Sequence, residues 1–273
     1  MPLRLRPLEI GDLLDETFRM YRRHFFLFAG LSVILSIPGA VLGGYSSYTL
    51  FNGLLQQTTL GRPADLGFLE GTLLAYGVVG LISLALIPFF YGAVTYAACE
   101  SALGRQVTPL GVLRGVLHRY WALLGYWLLI GVMGIVFCLI PLWVWIWVNW
   151  VVVMPVMFVE NVGLGAAMGR SWRLVEGRWW RTFLIVLLML VVFYVARIAL
   201  SAFIALGQTL LQLVVSSTVI FWISGTTSVI VDSLVNPVIQ IALVLIYFDL
   251  RVRREALDLF QLAQRLTAPQ PAA

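Results

Sequence analysis

The chain has 273 residues, of which 61% are hydrophobic and 11% charged, against about 45–50% and roughly 25% in a soluble domain. Mean hydropathy is +0.94, which is more apolar surface than one soluble core of this size can bury. The formal charge of +5 comes from arginine without any lysine, and with no basic soluble face to present it does not mark a nucleic-acid binder.

An N-terminal segment, 1–24, precedes the first apolar run. Over residues 8–25, Ile10, Leu13, Leu14, Phe18, Tyr21 and Phe25 share one helical face. Acidic residues come early (Glu9, Asp12, Asp15, Glu16) and Arg19, Arg22 and Arg23 come late, the order that suits a helix dipole. The spacing predicts an amphipathic helix lying on the inner membrane surface. A spanning helix needs about 20 apolar residues, so charge-poor runs mark the spans. They fall at about 25–43, 71–99, 120–140, 142–159, 182–206 and 228–248. Pro141 divides the charge-free stretch 120–159, which is too long for one crossing. Residues 207–227 are apolar but rich in Ser, Thr and Gly, and fit either an interfacial helix or a further crossing. The tail 249–273 closes the chain as a cytoplasmic amphipathic segment, with Val252, Ala256, Leu259, Phe260, Ala263 and Leu266 on one face.

Arginine placement sets the topology. Segments 1–24, 100–119, 160–181 and the tail hold 16 of the 18 arginines, while the alternate loops are nearly bare. The positive-inside rule then puts both termini in the cytoplasm, with an even number of spans. The expectation is an all-α, multi-pass protein of the plasma (inner) membrane, a single membrane domain with six spans. The first span follows 24 residues with helical character, so it reads as uncleaved rather than as a signal peptide. Cys99 and Cys138 fall near opposite ends of the bundle, too far apart to pair.

A short pattern repeats before spans one, three and five. It is an arginine, four residues, His or Arg, then two aromatics: Arg19 with His24-Phe25-Phe26, Arg114 with Arg119-Tyr120-Trp121, and Arg173 with Arg178-Trp179-Trp180. Composition alone predicts far less than one occurrence, so this reads as an internal repeat. The arginines reach phosphate headgroups and the aromatic pair marks the interface where each span begins. The architecture expected is three helical hairpins, each introduced by a cytoplasmic-side amphipathic helix. Such elbows anchor and orient spans; coupling to a cytoplasmic partner is the alternative.

The opening R-P-L-E-I-G-D-L-L-D-E-T-F-R-M-Y-R-R-H-F, the middle G-R-S-W-R-L-V-E-G-R-W-W-R-T-F and the closing L-I-Y-F-D-L-R-V-R-R-E resemble the bacterial membrane-domain family of glycerophosphoryl diester phosphodiesterases. The resemblance extends over nearly the whole chain and is specific at those three segments. It implies a multi-span helical domain in the bacterial plasma membrane. Members that carry a soluble catalytic barrel are enzymes; this chain resembles the standalone members without one, so the resemblance implies no activity.

The residues themselves agree in lacking a catalytic set. His24 and His118 are the two histidines, both on elbows, without the paired carboxylates a metal centre needs. The string Gly163, Gly165, Gly169 has no preceding strand to make a nucleotide loop. No cofactor and no catalytic or metal-binding residues are expected. Polar residues within spans are the remaining candidates. Arg197 lies 16 residues past Arg181 and Asp232 lies 17 before Asp249, heights of about 24 and 26 Å along their helices. They are candidates for an ion pair clasping the third hairpin on its outer side, or for separate snorkelling to headgroups. Asn149 and Asn236 are candidate buried polar groups, bonding a neighbouring helix or a substrate. Pro38, Pro88, Pro155 and Pro237 predict kinks, and Trp143, Trp145, Trp147 and Trp150 predict an outer aromatic belt. Together these point to a non-enzymatic scaffold or accessory domain of the cell envelope, lipid-related, with membrane lipids and another membrane or cytoplasmic protein as partners. A transporter or lipid-handling protein with a site between hairpins is the alternative.

Overall fold

The computed structural model describes residues 9–60, 66–135, 140–213, 215 and 217–255. Among them are ten helices and no strand: α1 (Ile10–Arg23), α2 (Phe25–Leu60), α3 (Leu66–Ala102), α4 (Pro109–His118), α5 (Tyr120–Ile135), α6 (Ile140–Asn149), α7 (Val153–Val159), α8 (Leu164–Val175), α9 (Trp179–Leu211) and α10 (Ser217–Glu255). Five stretches are long and apolar enough to cross a membrane: Phe25–Tyr45, Tyr76–Ala102, Pro141–Val159, Trp179–Leu211 and Thr226–Glu255. A sixth comes from α4 and α5, which meet at a bend of 66°. The fold is an all-α multi-pass membrane bundle.

Several helices overrun their expected spans. With 33 to 39 residues, α2, α3, α9 and α10 are roughly 50–58 Å long at 1.5 Å per residue, well beyond a hydrocarbon core of about 30 Å. The stretch 44–60, read as loop, continues α2. It has no charge and no proline, so nothing draws its backbone groups out of the helical ladder. Of 207–227, the described residues 207–211 continue α9 and 217–227 open α10. Nor does the tail start a new element at 249, because α10 continues unbroken to Glu255. The rest of the tail, including Ala256 to Leu266, and Cys138 lie outside the described residues. The third expected span, 120–140, is helical as α5 to Ile135.

The proline sites behave differently from one another. Pro38, Pro88 and Pro237 sit inside unbroken helices. Pro155 follows a tight turn over Trp150–Val152, where the Val151 and Val153 amides reach back only three residues. Pro155 has no N–H to donate the next ladder bond, and α6 and α7 are separate helices here.

Packing follows a three-fold plan. Each unit is a short helix, an outgoing helix and a return: α1–α2–α3, α4–α5–α6/α7 and α8–α9–α10. Each short helix packs on the return helix of the preceding unit: α4 on α3, α8 on α7, and α1 on α10. The last contact closes the ring with no covalent link. Helix α10 is the hub, packing most extensively on α2 and also on α9, α3, α1, α8 and α7. The buried core gathers where the short helices meet the returns: Leu13, Val94, Ala97, Val116, Leu123, Val156, Leu174, Ile241, Leu245 and Leu250 are all buried. Away from that end, Ile34, Leu73, Val195, Phe203 and Leu210 face outward, as suits lipid-facing walls.

Candidate functional site

The three elbows share one backbone geometry. The hinge residues are His24 (φ −118°, ψ 31°), Arg119 (φ −114°, ψ 12°) and Arg178 (φ −129°, ψ 20°). These values lie near the sparsely allowed bridge region and interrupt one helix while starting the next. Each hinge carbonyl accepts the first bond of the outgoing helix, from the amides of Phe28, Leu123 and Thr182 at 3.0, 2.9 and 3.0 Å. Those three donors are buried, as are Thr17, Val112 and Ser171, seven residues before each hinge. The second aromatic of each pair points the other way: Phe26, Trp121 and Trp180 are 90%, 79% and 72% exposed. The short motif therefore sets both backbone path and side-chain direction.

Within the motif the two basic positions divide the work. The first arginines, Arg19, Arg114 and Arg173, are exposed. The second position instead ties elbows to neighbouring segments. Arg119 donates to the Val162 carbonyl and the Asn161 side chain, in the loop that leads into α8. Asn161 holds φ 55° there, a left-handed conformation Asn tolerates. Arg178 donates to the Arg253 carbonyl at 3.1 Å. At the first elbow, whose hinge is His24, the tie comes from Tyr21, which donates to the Leu234 carbonyl at 2.6 Å. Burial and the neighbouring Arg23 lower the His24 pKa below the usual imidazole value.

The third elbow and the end of α10 form a charged latch. Arg170 donates to Glu160 at 3.0 Å and also pairs with Glu255. Arg251 donates to Glu255 at 2.9 Å and to the Tyr247 hydroxyl at 3.0 Å, and that hydroxyl donates to Glu160 at 3.0 Å. Burial opposes the Arg170 charge, but the Glu255 and Glu160 carboxylates outweigh it and raise its pKa. Buried Asp249 pairs with Arg181 from α9 and with Arg253 at 2.9 Å. Arg254 pairs with Glu176 at 3.2 Å. Two of the segments that carried the family resemblance, 169–183 and 245–255, thus meet in space.

The remaining candidates lie apart from the latch. Arg197 Nε and Nη2 donate to the two carboxylate oxygens of Asp232, the longer bond being 3.4 Å, with both side chains part-exposed. Asn149 donates to the Trp145 carbonyl at 2.7 Å, and its own carbonyl accepts from Ser171 at 2.6 Å. Asn236 is buried with its Nδ2 unpartnered, as is the Ser32 hydroxyl on α2. The tryptophan run does not form the expected outer belt throughout. Trp145 packs edge-on against Trp172 at 4.8 Å and its carbonyl accepts from Trp179 at 3.2 Å, so it belongs to the third elbow. Trp143 and Trp147 stack at 6.1 Å.

Sequence reasoning passed over Tyr247, Glu160, Asp249 and the Thr95–Gln240 bond of 2.8 Å between α3 and α10. A signal existed for Asp249, a carboxylate ending an apolar run just before Arg251, Arg253 and Arg254. None existed for Tyr247 or Thr95, which look like ordinary span residues. Comparison with protein-family models, curated proteins and solved structures returned no match.

Proposed function

We propose that this chain is a non-enzymatic membrane scaffold or accessory domain of the bacterial cell envelope, of the glycerophosphoryl diester phosphodiesterase membrane-domain kind. Its termini lie in the cytoplasm, its lipid contacts are made at the elbows, and another membrane or cytoplasmic protein docks on the elbow side. The observation that supports this reading is how the polar groups inside the bundle are used. Thr95 with Gln240, Tyr21 with Leu234 and Ser171 with Asn149 bind helix to helix, and Arg119 binds the loop 161–162. A chain whose buried polarity holds its own helices together is built as a fixed frame. Affinity capture of the intact protein in mild detergent, with mass spectrometry of what is retained, tests it. The expected result is a specific protein partner alongside lipid; one specific lipid and no protein overturns it.

One observation favours the alternative of a transporter or lipid-handling protein. Helices α2 and α10 pack most extensively on one another, and each buries an unpartnered polar atom, Ser32 Oγ and Asn236 Nδ2. Transporters use such groups as substrate contacts. Under that reading S32A and N236L abolish ligand retention while the fold persists; under the scaffold reading they leave partner capture unchanged.

A further inference from the structure

The elbows are alike in backbone but not in how their charge is committed. At the second and third, the hinge arginines are tied to protein, and Arg170, Arg181, Arg251, Arg253 and Arg254 are all ion-paired. Each of those elbows leaves one exposed arginine of the motif, Arg114 or Arg173. The first elbow concentrates three. Arg19, Arg22 and Arg23 stand at helical positions i, i+3 and i+4, one face of α1, and all are exposed. Arg22 and Arg23 have no carboxylate partner among the described residues. Glu16 reaches Arg19 at 3.3 Å, but that guanidinium remains mostly exposed.

These arginines line a surface cleft of about 570 Å³ together with Asp15 and Phe18. The opposite face of α1 is fixed, since Leu13, Thr17 and Met20 are buried and Tyr21 is bonded to α10. The cleft therefore sits on a held helix. Phe18 lines the cleft and is exposed, as are Phe25 and Phe26 just past the hinge of the same elbow, and such rings prefer the boundary between headgroup and acyl chain. The planar guanidinium forks can donate paired N–H bonds to the non-bridging oxygens of a phosphodiester, and the Asp15 carboxylate is an acceptor for a hydroxyl on such a headgroup.

We infer that the α1 cleft is a binding site for one anionic phospholipid headgroup, a phosphodiester with a hydroxylated substituent, of the phosphatidylglycerol class. The occupant is a membrane lipid rather than free phosphate because the exposed Phe18 ring adjoins the cationic floor. The inference rests on the proposed lipid-facing role of the elbows, but not on the existence of a protein partner.

The test is native mass spectrometry of the full chain in mild detergent with phosphatidylglycerol or phosphatidylcholine added. The wild type retains phosphatidylglycerol in preference to phosphatidylcholine. R19Q/R22Q/R23Q loses that retention by on the order of a hundredfold, from three basic contacts at an anionic surface. R114Q/R173Q keeps it. R19K/R22K/R23K, which preserves charge and the helix, retains an intermediate amount, because the bidentate geometry is lost. Equal phosphatidylglycerol retention by wild type and R19Q/R22Q/R23Q overturns the site. So does displacement of the lipid by inorganic phosphate alone, which would make the ligand a free anion. Loss of the lipid site leaves partner capture unaffected, so the two readings fail separately.

Discussion

Asp249 is the residue on which the α10 terminus most depends. It is 2% exposed and shares its carboxylate between Arg181 and Arg253. Removing one partner from a buried charged cluster is costly because the others remain desolvated. D249A therefore lowers the unfolding free energy by about 3–5 kcal/mol, seen as a fall in the melting temperature of the solubilised protein. Y247F, which removes a hydroxyl bonded to Glu160 and Arg251, costs about 1–3 kcal/mol in the same assay. The Arg197–Asp232 pair is more exposed, and there the order of variants is diagnostic. R197L or D232L alone leaves an unmatched charge among apolar neighbours, so each single variant melts below the R197L/D232L double variant. His24 adds a pH dependence. Its lowered pKa means the folded hinge favours the neutral ring. That contribution is full above the unfolded value of about 6.5 and fades as pH falls through the lower folded value. The melting temperature of the wild type should fall relative to H24Q between pH 7 and 5; a constant difference would assign the titration elsewhere.

Among the elements, α4 and α8 show what holds a short helix against its return. A Cβ on Gly115 would lie 2.5 Å from the Tyr96 ring on α3, and one on Gly92 would lie 3.0 Å from Leu123. Gly115 lets α4 approach α3 closely, and Gly92 does the same for α5 on α3, because these positions lack side chains. G115A pushes α4 from α3 at a cost of about 1–3 kcal/mol, and speeds tryptic cleavage at Arg114 as the elbow loosens. At the third elbow, Gly177 holds φ +78° just past Glu176, the residue that ends α8, in a type II turn closed by the Arg178 amide on the Val175 carbonyl at 2.9 Å, where glycine is favoured. Both short helices were legible from the elbow repeat that follows them. Their partners were not, because a helical face states that it is to be covered without stating by what. Helices run past the expected spans for a related reason. Hydropathy reports where lipid is tolerated, whereas the helix ends where backbone hydrogen bonds stop, and in α2 and α10 these differ by many residues.

At the scale of the molecule, the ring closes through α1 on α10. This contact joins the two ends of the described chain and covers the hub helix. Deleting residues 1–23 removes Leu13, Thr17 and Met20 from their buried positions and uncovers part of α10. Hydrogen exchange should then rise along 234–252, while α4 on α3, a separate junction of the same kind, stays protected. Uniform loss of protection would mean that the three junctions fold as one cooperative unit.

The sequence by itself determined the class of the molecule, and for a simple reason. Solvent preference is additive along the chain, so 61% hydrophobic residues in long charge-poor runs specify lipid without reference to shape. It also determined the elbow, because a hinge needs only neighbouring residues: His24, Arg119 and Arg178 each act on the helix they begin. Which helix each elbow binds, that Trp145 and Asn149 belong to the third elbow, and that Glu160 meets Tyr247 were decided by the tertiary structure. These contacts join residues up to 213 positions apart, and pairings of that kind depend on how whole helices cross, which no local pattern encodes.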